Sequence, residues 1–265
     1  MRTVTVVAFS CGLILLTMPS AWAANVLEQN GLTPIGAERA ANASGVIPAW
    51  TGGISRSPVG FKEGDHYPNP YASDKPLYSV TASNMASYAT QLTAGQKALL
   101  KKYPTWKMNV YPSRRSAAFP QSVYDDSAAN IKRVSLVDGG NGFVGTSSGV
   151  PFPQPASGVE VIWNHITAYR GNSFSVSSQQ AAVTVSGDYT PVRFETMYDF
   201  QYNNQTKSSA EREPNKLINV ISQITAPARL AGQALLVHEY IDQVKNPRMA
   251  WTYNPGQRRV RLAPN

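Results

Sequence analysis

Cysteine occurs once in the 265 residues, at Cys11. That scarcity excludes an internal disulfide framework and any zinc–cysteine site. Histidine is nearly as rare, with His66, His165 and His238 alone. Charged residues are only 15% of the chain, although the formal balance is +8. The basic residues are scattered as Lys101-Lys102, Arg114-Arg115, Lys132-Arg133 and Arg258, Arg259 and Arg261. No recognition motif accompanies them, so scattered charge reads as solvated surface and not as a nucleic-acid interface.

No apolar run has the length and flanks of a spanning helix. The N-terminal stretch Val4 to Met18 follows Arg2 and precedes Ala21-Trp22-Ala23, the layout of a secretory signal peptide. The expectation is residues 1–23 cleaved after Ala23 and a soluble periplasmic protein. Cys11 leaves with the leader, and Ala8-Phe9-Ser10 before it makes a poor lipid-attachment site. Removing Arg2 leaves 23 basic residues against 16 acidic ones, a net +7. Without a thiol, stability in that oxidising compartment comes from the core alone.

What is plentiful is proline and glycine, 19 of each. Ser44 to Pro76 holds five of each in 33 residues, which forbids regular helix or an inner strand. Trp50, Phe61, Tyr67 and Tyr71 within it predict an extended arm pinned by aromatics. Two helical pieces follow, a weak one over "TASNMASYATQL" and a better one over "TAGQKALLKKYP". In the second, Thr93 and Gln96 form a capping box and Pro104 stops the helix. The division expected is 24–120 for arm and helices, and 121–265 for a further helix and an antiparallel sheet, with the two parts compatible with one domain.

In "GVPFPQPASGVEVIWNHITAYRG" three prolines lead into a second capping box, Ser157 and Glu160. Val159, Ile162, Trp163 and Ile166 then fall at i, i+3, i+4 and i+7, predicting one buried apolar helix face. Beyond Gly171 the period changes to two. Val192, Phe194, Thr196, Tyr198, Phe200 and Tyr202 share one strand face, while Arg193 to Asn203 alternate on the other. Asn203-Asn204-Gln205 reads as a turn. Further strands are expected over Ser173–Ser186, Leu217–Thr225, Gln233–Gln243, Arg248–Tyr253 and Gln257–Leu262, the last two joined through Asn254-Pro255-Gly256. The fold class is α+β, mainly antiparallel β, as a curved or barrel-like meander. No internal repeat is present.

Enzyme-like strings occur in one loop. Gly140 to Gly145 fits G-x-G-x-x-G and Gly145 to Gly149, centred on Ser147, fits G-x-S-x-G. Both need a helix directly after the loop, and Val150-Pro151-Phe152-Pro153 is not one. His238-Glu239 opens like a metal-binding H-E-x-x-H, but the fifth position is Asp242. His165 reads as a core or capping histidine. No catalytic residue, metal or cofactor is assigned. The aromatic strand face is compatible with a filled core or with a cavity sheltering an apolar ligand.

Four blocks carry a resemblance: "LTPIGAERAANASGVIPAWTGGI", the stretch from "YPNPYASDKP" to "QSVYD", "GVPFPQPASGVEVIWNHITAYRG" and "AWTYNPGQRRVRLAPN". Together they resemble a secreted Gram-negative family of unknown function, commonly described as outer-membrane lipoprotein-sorting-protein-like. The resemblance implies an incomplete antiparallel barrel akin to the lipoprotein carriers LolA and LolB, with an N-terminal arm and covering helices around an apolar cavity. Members of the family continue past the "RRVRLAPN" segment, so this chain is expected to be a truncated or split product with an open final strand.

The function expected is a non-catalytic periplasmic carrier or chaperone for a lipid, a lipoprotein acyl chain or another hydrophobic ligand. Trp163, Phe194, Tyr198, Phe200, Tyr202 and Trp251 are its candidate cavity residues, with the Trp163 helix as plug or lid. Arg259 and Arg261 are candidates for a headgroup or an acidic partner. The expected contacts are a hydrophobic small molecule or lipid, an envelope export complex or outer-membrane protein, and a peripheral membrane surface. The alternatives are a structural accessory subunit of a resistance-nodulation-division exporter, and a serine hydrolase using Ser147.

Overall fold

The computed structural model describes residues 26–62, 64–208 and 210–263. The proposed leader and its cleavage point lie outside the described residues. A short helix α1 (Val26–Gln29) opens the described chain. Strands β1 (Tyr78–Val80) and β2 (Met108–Val110) pair antiparallel around helix α2 (Ala94–Lys102). Val80, Leu92 and Leu100 form a small core there, flanked by Met85, Tyr88 and Trp106. The Thr93 hydroxyl accepts the Gln96 N–H and Gln96 Oε1 accepts the Thr93 N–H, as the capping box predicts. "TASNMASYATQL" supplies only a 3-10 turn, Met85–Tyr88, and not a helix.

Helix α3 (Gln121–Arg133) leads into a small hairpin, β3 (Ser135–Val137) with β4 (Gly142–Val144). Helix α4 (Gly158–Ile166) follows the proline run. Then come six strands: β5 (Ser173–Ala181), β6 (Pro191–Phe200), β7 (Lys216–Ala226), β8 (Ala234–Tyr240), β9 (Met249–Asn254) and β10 (Arg259–Leu262). They form one antiparallel sheet in the order β10-β9-β8-β7-β6-β5, a pure meander. Among the described residues it does not close into a barrel; β5 and β10 are its two edges.

The period-two pattern holds through β6. Phe194 and Tyr198 are half-buried and Thr196 and Phe200 buried, whereas Arg193, Glu195 and Met197 are exposed. The strand ends at Phe200, earlier than the pattern suggests. A bulge in β7 lets the Leu217 carbonyl accept both the Gln201 and the Tyr202 N–H. Beyond it Tyr202 leaves the sheet for the main core. The Asn254 carboxamide accepts the Gly256 and Gln257 N–H groups and so closes the β9–β10 turn.

The main core sits past that end of the sheet: Phe143, Phe152, Trp163, Tyr202, Leu217 and Ile241. Phe143 meets Phe152, Trp163 and Tyr202 edge to face at 5.2–5.9 Å. Here α4 departs from expectation. It buries Trp163 and Thr167 with Glu160 and Asn164 half-buried beside them, a face one residue round from the predicted stripe. Val159, Ile162 and Ile166 are exposed. The reason is polar anchoring: Asn164 bonds both the N–H and the carbonyl of Phe152, at 2.9 and 2.7 Å. Trp163 Nε1 donates to the Gly140 carbonyl. His165, expected in the core or as a cap, is exposed.

The prolines explain themselves in this frame. Pro151, Phe152 and Pro153 are buried, so the stiff segment is a core strap that sets the start of α4. Against it lies Gly36, at φ +90°, where a Cβ would stand 1.8 Å from the Pro153 carbonyl oxygen. The N-terminal arm is thereby docked on the strap. Trp50 Nε1 donates to the Ala117 carbonyl, and Tyr71 shares a hydrogen bond with Ser116. Phe61 and Tyr67 stack on each other instead, with Tyr67 mostly exposed.

Candidate functional site

The sheet register decides which candidate residues meet. On one face Phe174, Tyr198, Val220 and Val237 pair in turn across β5 to β8, with Phe200 and Ile218 in the next row and Phe194 and Ile224 beyond the hydrogen-bonded Thr196–Ser222 pair. Phe174 packs on Tyr198 and Phe200 at 4.9 and 5.7 Å. Of these residues only Ile218 touches the main core. Phe194, Tyr198 and Phe200 therefore share one aromatic surface, as the alternation implies. Trp163 and Tyr202 do not belong to it; both are packed in the core past the sheet end.

Trp251 stands on the opposite face. Antiparallel pairing lines up Met197, Ile221, Leu236, Trp251 and Leu262 across five consecutive strands, β6 to β10. Directly paired residues share a face, so this is one continuous apolar row, with strands about 4.8 Å apart. Met197, Ile221 and Leu262 are largely exposed. The next row adds Ala234, Tyr253 and Val260. Between the rows runs a groove of about 350 Å³ whose lining is apolar except for Thr252 and the Tyr253 hydroxyl.

A polar row flanks the apolar one on the side away from the groove. Asp199, Asn219 and His238 pair across β6, β7 and β8. Asn219 Nδ2 donates to Asp199, while its Oδ1 is a buried side-chain oxygen without a partner among the described residues. The His238 ring meets Trp251 edge to face at 5.1 Å. Burial, with the nearby Lys216 ammonium, lowers the His238 pKa below its ordinary value. His238 does not form a metal constellation with its neighbours: Glu239 pairs with Arg248 at 2.8 Å, and Asp242 caps the Val244 and Lys245 N–H groups beyond the strand.

The Gly-rich loop is held as structure. Gly145, at φ +101°, passes so close to Arg133 that a Cβ would stand 1.9 Å from its carbonyl oxygen. Asn203, itself at φ +63°, accepts from the Gly149 N–H and Ser148 hydroxyl and donates to the Thr167 carbonyl. Tyr202 donates its hydroxyl to the Gly149 carbonyl at 2.7 Å, and burial raises its pKa. Ser147 is followed by the buried proline strap, with α4 starting only at Gly158. Beside this loop lies a polar pocket of about 390 Å³, lined among others by Asp126, Arg133, Ser147, Arg212, Asp242 and Lys245. Sequence reasoning missed it, because its charged residues come from three distant segments. Arg259 and Arg261 share the exposed β10 edge, where Arg261 bonds Gln257.

No solved structure matches the chain. An uncharacterized protein of Pseudomonas aeruginosa strain PAO1 is 47% identical over 238 residues, covering 88% of this chain and 51% of its own length. The chain thus spans about half the length of that curated relative. The family model described as "Protein of unknown function (DUF1329)" matches residues 79–265. With most of the length matched, the chain belongs to the DUF1329 family of proteins of unknown function.

Proposed function

We propose that this protein is a non-catalytic periplasmic carrier or chaperone for a lipid, a lipoprotein acyl chain or another hydrophobic ligand. Its open sheet plays the part that the incomplete barrel plays in the LolA and LolB carriers. The observation that carries the reading is the apolar row Met197-Ile221-Leu236-Trp251-Leu262 with its groove of about 350 Å³. That volume falls in the range of small-molecule sites, and such sites are apolar with few polar groups at their border. Here Thr252 and the Tyr253 hydroxyl are the polar groups of the lining, and His238 packs on Trp251 from beside it. The aromatic face behind the groove supports the same reading with a second apolar surface.

The test is titration of a fluorescent fatty-acid analogue against the native chain, Trp251→Ala and Leu262→Glu. Saturable binding is expected, weakened about tenfold or more by either change, as befits loss of about 1.4 kcal/mol of apolar contact. Leu262 is exposed, so its variant keeps the fold. Equal binding by all three proteins, or none by any, defeats the reading. A second reading, the accessory subunit of an envelope export complex, is favoured by the exposed Met197, Ile221 and Leu262, which suit a protein surface as well as a ligand.

A further inference from the structure

We infer that the polar pocket beside the Gly145–Gly149 loop is an oxyanion site for a phosphate group, free or carried as a headgroup. Three cations reach it from separate segments: Arg133 at the end of α3, Arg212 before β7 and Lys245 after β8. Two carboxylates, Asp126 and Asp242, stand with them, so the pocket keeps one positive charge in excess. One carboxylate, Asp126, serves two of the three cations. Asp126 lies 3.3 Å from Arg133 Nη2 and 3.9 Å from Arg212 Nη1. Asp242 Oδ1 is occupied by two backbone N–H groups.

The Arg212 guanidinium is the centre of the site. Its side chain is only 10% exposed. Of its five N–H donors, Nε–H reaches the Asn204 carbonyl at 2.9 Å, and among the described residues the one carboxylate near its Nη atoms is Asp126, at 3.9 Å and shared with Arg133. A guanidinium so enclosed normally fills its fork with acceptors. Lys245 has no ion-pair partner and the Ser147 hydroxyl no hydrogen bond among the described residues. An acceptor able to meet Arg212, Lys245 and Ser147 together needs three oxygens pointing in different directions. A tetrahedral phosphate has them and a carboxylate does not. The volume of about 390 Å³ leaves room for the group that bears the phosphate. The inference does not rest on the apolar groove, which is lined by none of these residues.

Calorimetric titration with inorganic phosphate, and co-sedimentation with phosphatidylcholine vesicles with and without phosphatidic acid, whose monoester keeps three free phosphate oxygens, test it on the full chain. Lys245→Gln and Ser147→Ala are the variants, since neither side chain holds the fold. Phosphate binding that weakens about tenfold in Lys245→Gln, and less in Ser147→Ala, is the expected result. If phosphate alone binds, the natural ligand is a soluble phosphate or ester. If only the vesicles with phosphatidic acid bind, and lose binding in the same variants, it is a lipid headgroup; either outcome upholds the oxyanion site. Absence of both, or binding unchanged in both variants, overturns it.

Discussion

The indole Nε1 of Trp163 donates to the carbonyl oxygen of Gly140 at 3.0 Å, a hydrogen bond across 23 residues of chain. It ties α4 to the turn between β3 and β4 and fixes which side of the helix faces the core. The apolar stripe Val159, Ile162 and Ile166 is left outward as a consequence. Trp163→Ala is expected to cost about 3–5 kcal/mol, the range for truncating a buried aromatic. Ile162→Ser should stay within about 0.5 kcal/mol. Urea unfolding of both variants measures the contrast, and the predicted apolar face would require the two costs to be comparable.

Asn203 joins three segments: Gly149 and Ser148 on its Oδ1, and Thr167 on its Nδ2. Replacing it with Ala strands buried partners on both the loop and the end of α4. A loss of about 2–4 kcal/mol is expected, since each unsatisfied buried group costs about 1–3 kcal/mol. The denaturation midpoint should fall with the slope unchanged.

Gly36→Ala tests the docking of the arm. The new methyl would overlap the Pro153 carbonyl, at a backbone conformation that already disfavours alanine. The arm is expected to lift from the strap while the sheet stays folded. Limited proteolysis should then cut within residues 30–60 many times faster than in the native protein, with the six-stranded sheet surviving. Equal cleavage rates would mean that the arm does not depend on this contact.

The pH dependence at His238 has a definite sign. Its folded pKa lies below the unfolded value, through burial and the Lys216 charge. The unfolded chain therefore binds the proton more readily. The stability His238 contributes is complete above the unfolded pKa, about 6.5, and is lost as pH falls through the folded pKa. An NMR titration of the imidazole should give a midpoint below 6.5, and His238→Gln should flatten the loss of stability between roughly pH 7 and 5.

The meander was legible because alternation is a local signal; Phe194, Tyr198 and Phe200 declare their common face within seven residues. Both capping boxes were legible for the same reason, each closing over four residues. The burial of α4 was not, because Gly140 and Phe152, which turn the helix, are remote in sequence from Trp163. Nor was the position of Trp251. The parity of one strand against another depends on every intervening turn and bulge, including the register shift at Leu217. A residue that looks interchangeable with Tyr198 in its own strand thus emerges on the opposite face. The charged pocket was hidden further still, since Arg133, Arg212 and Lys245 share no pattern.

The central claim is that the Trp251 groove holds a hydrophobic ligand in the cell. Native mass spectrometry of the protein isolated from its own cells, with organic extraction of what it carries, tests that most directly. The account predicts a defined apolar or lipid adduct on the native chain, absent from Trp251→Ala and Leu262→Glu purified in the same way. A folded native protein of bare polypeptide mass, or an adduct retained equally by both variants, would contradict it.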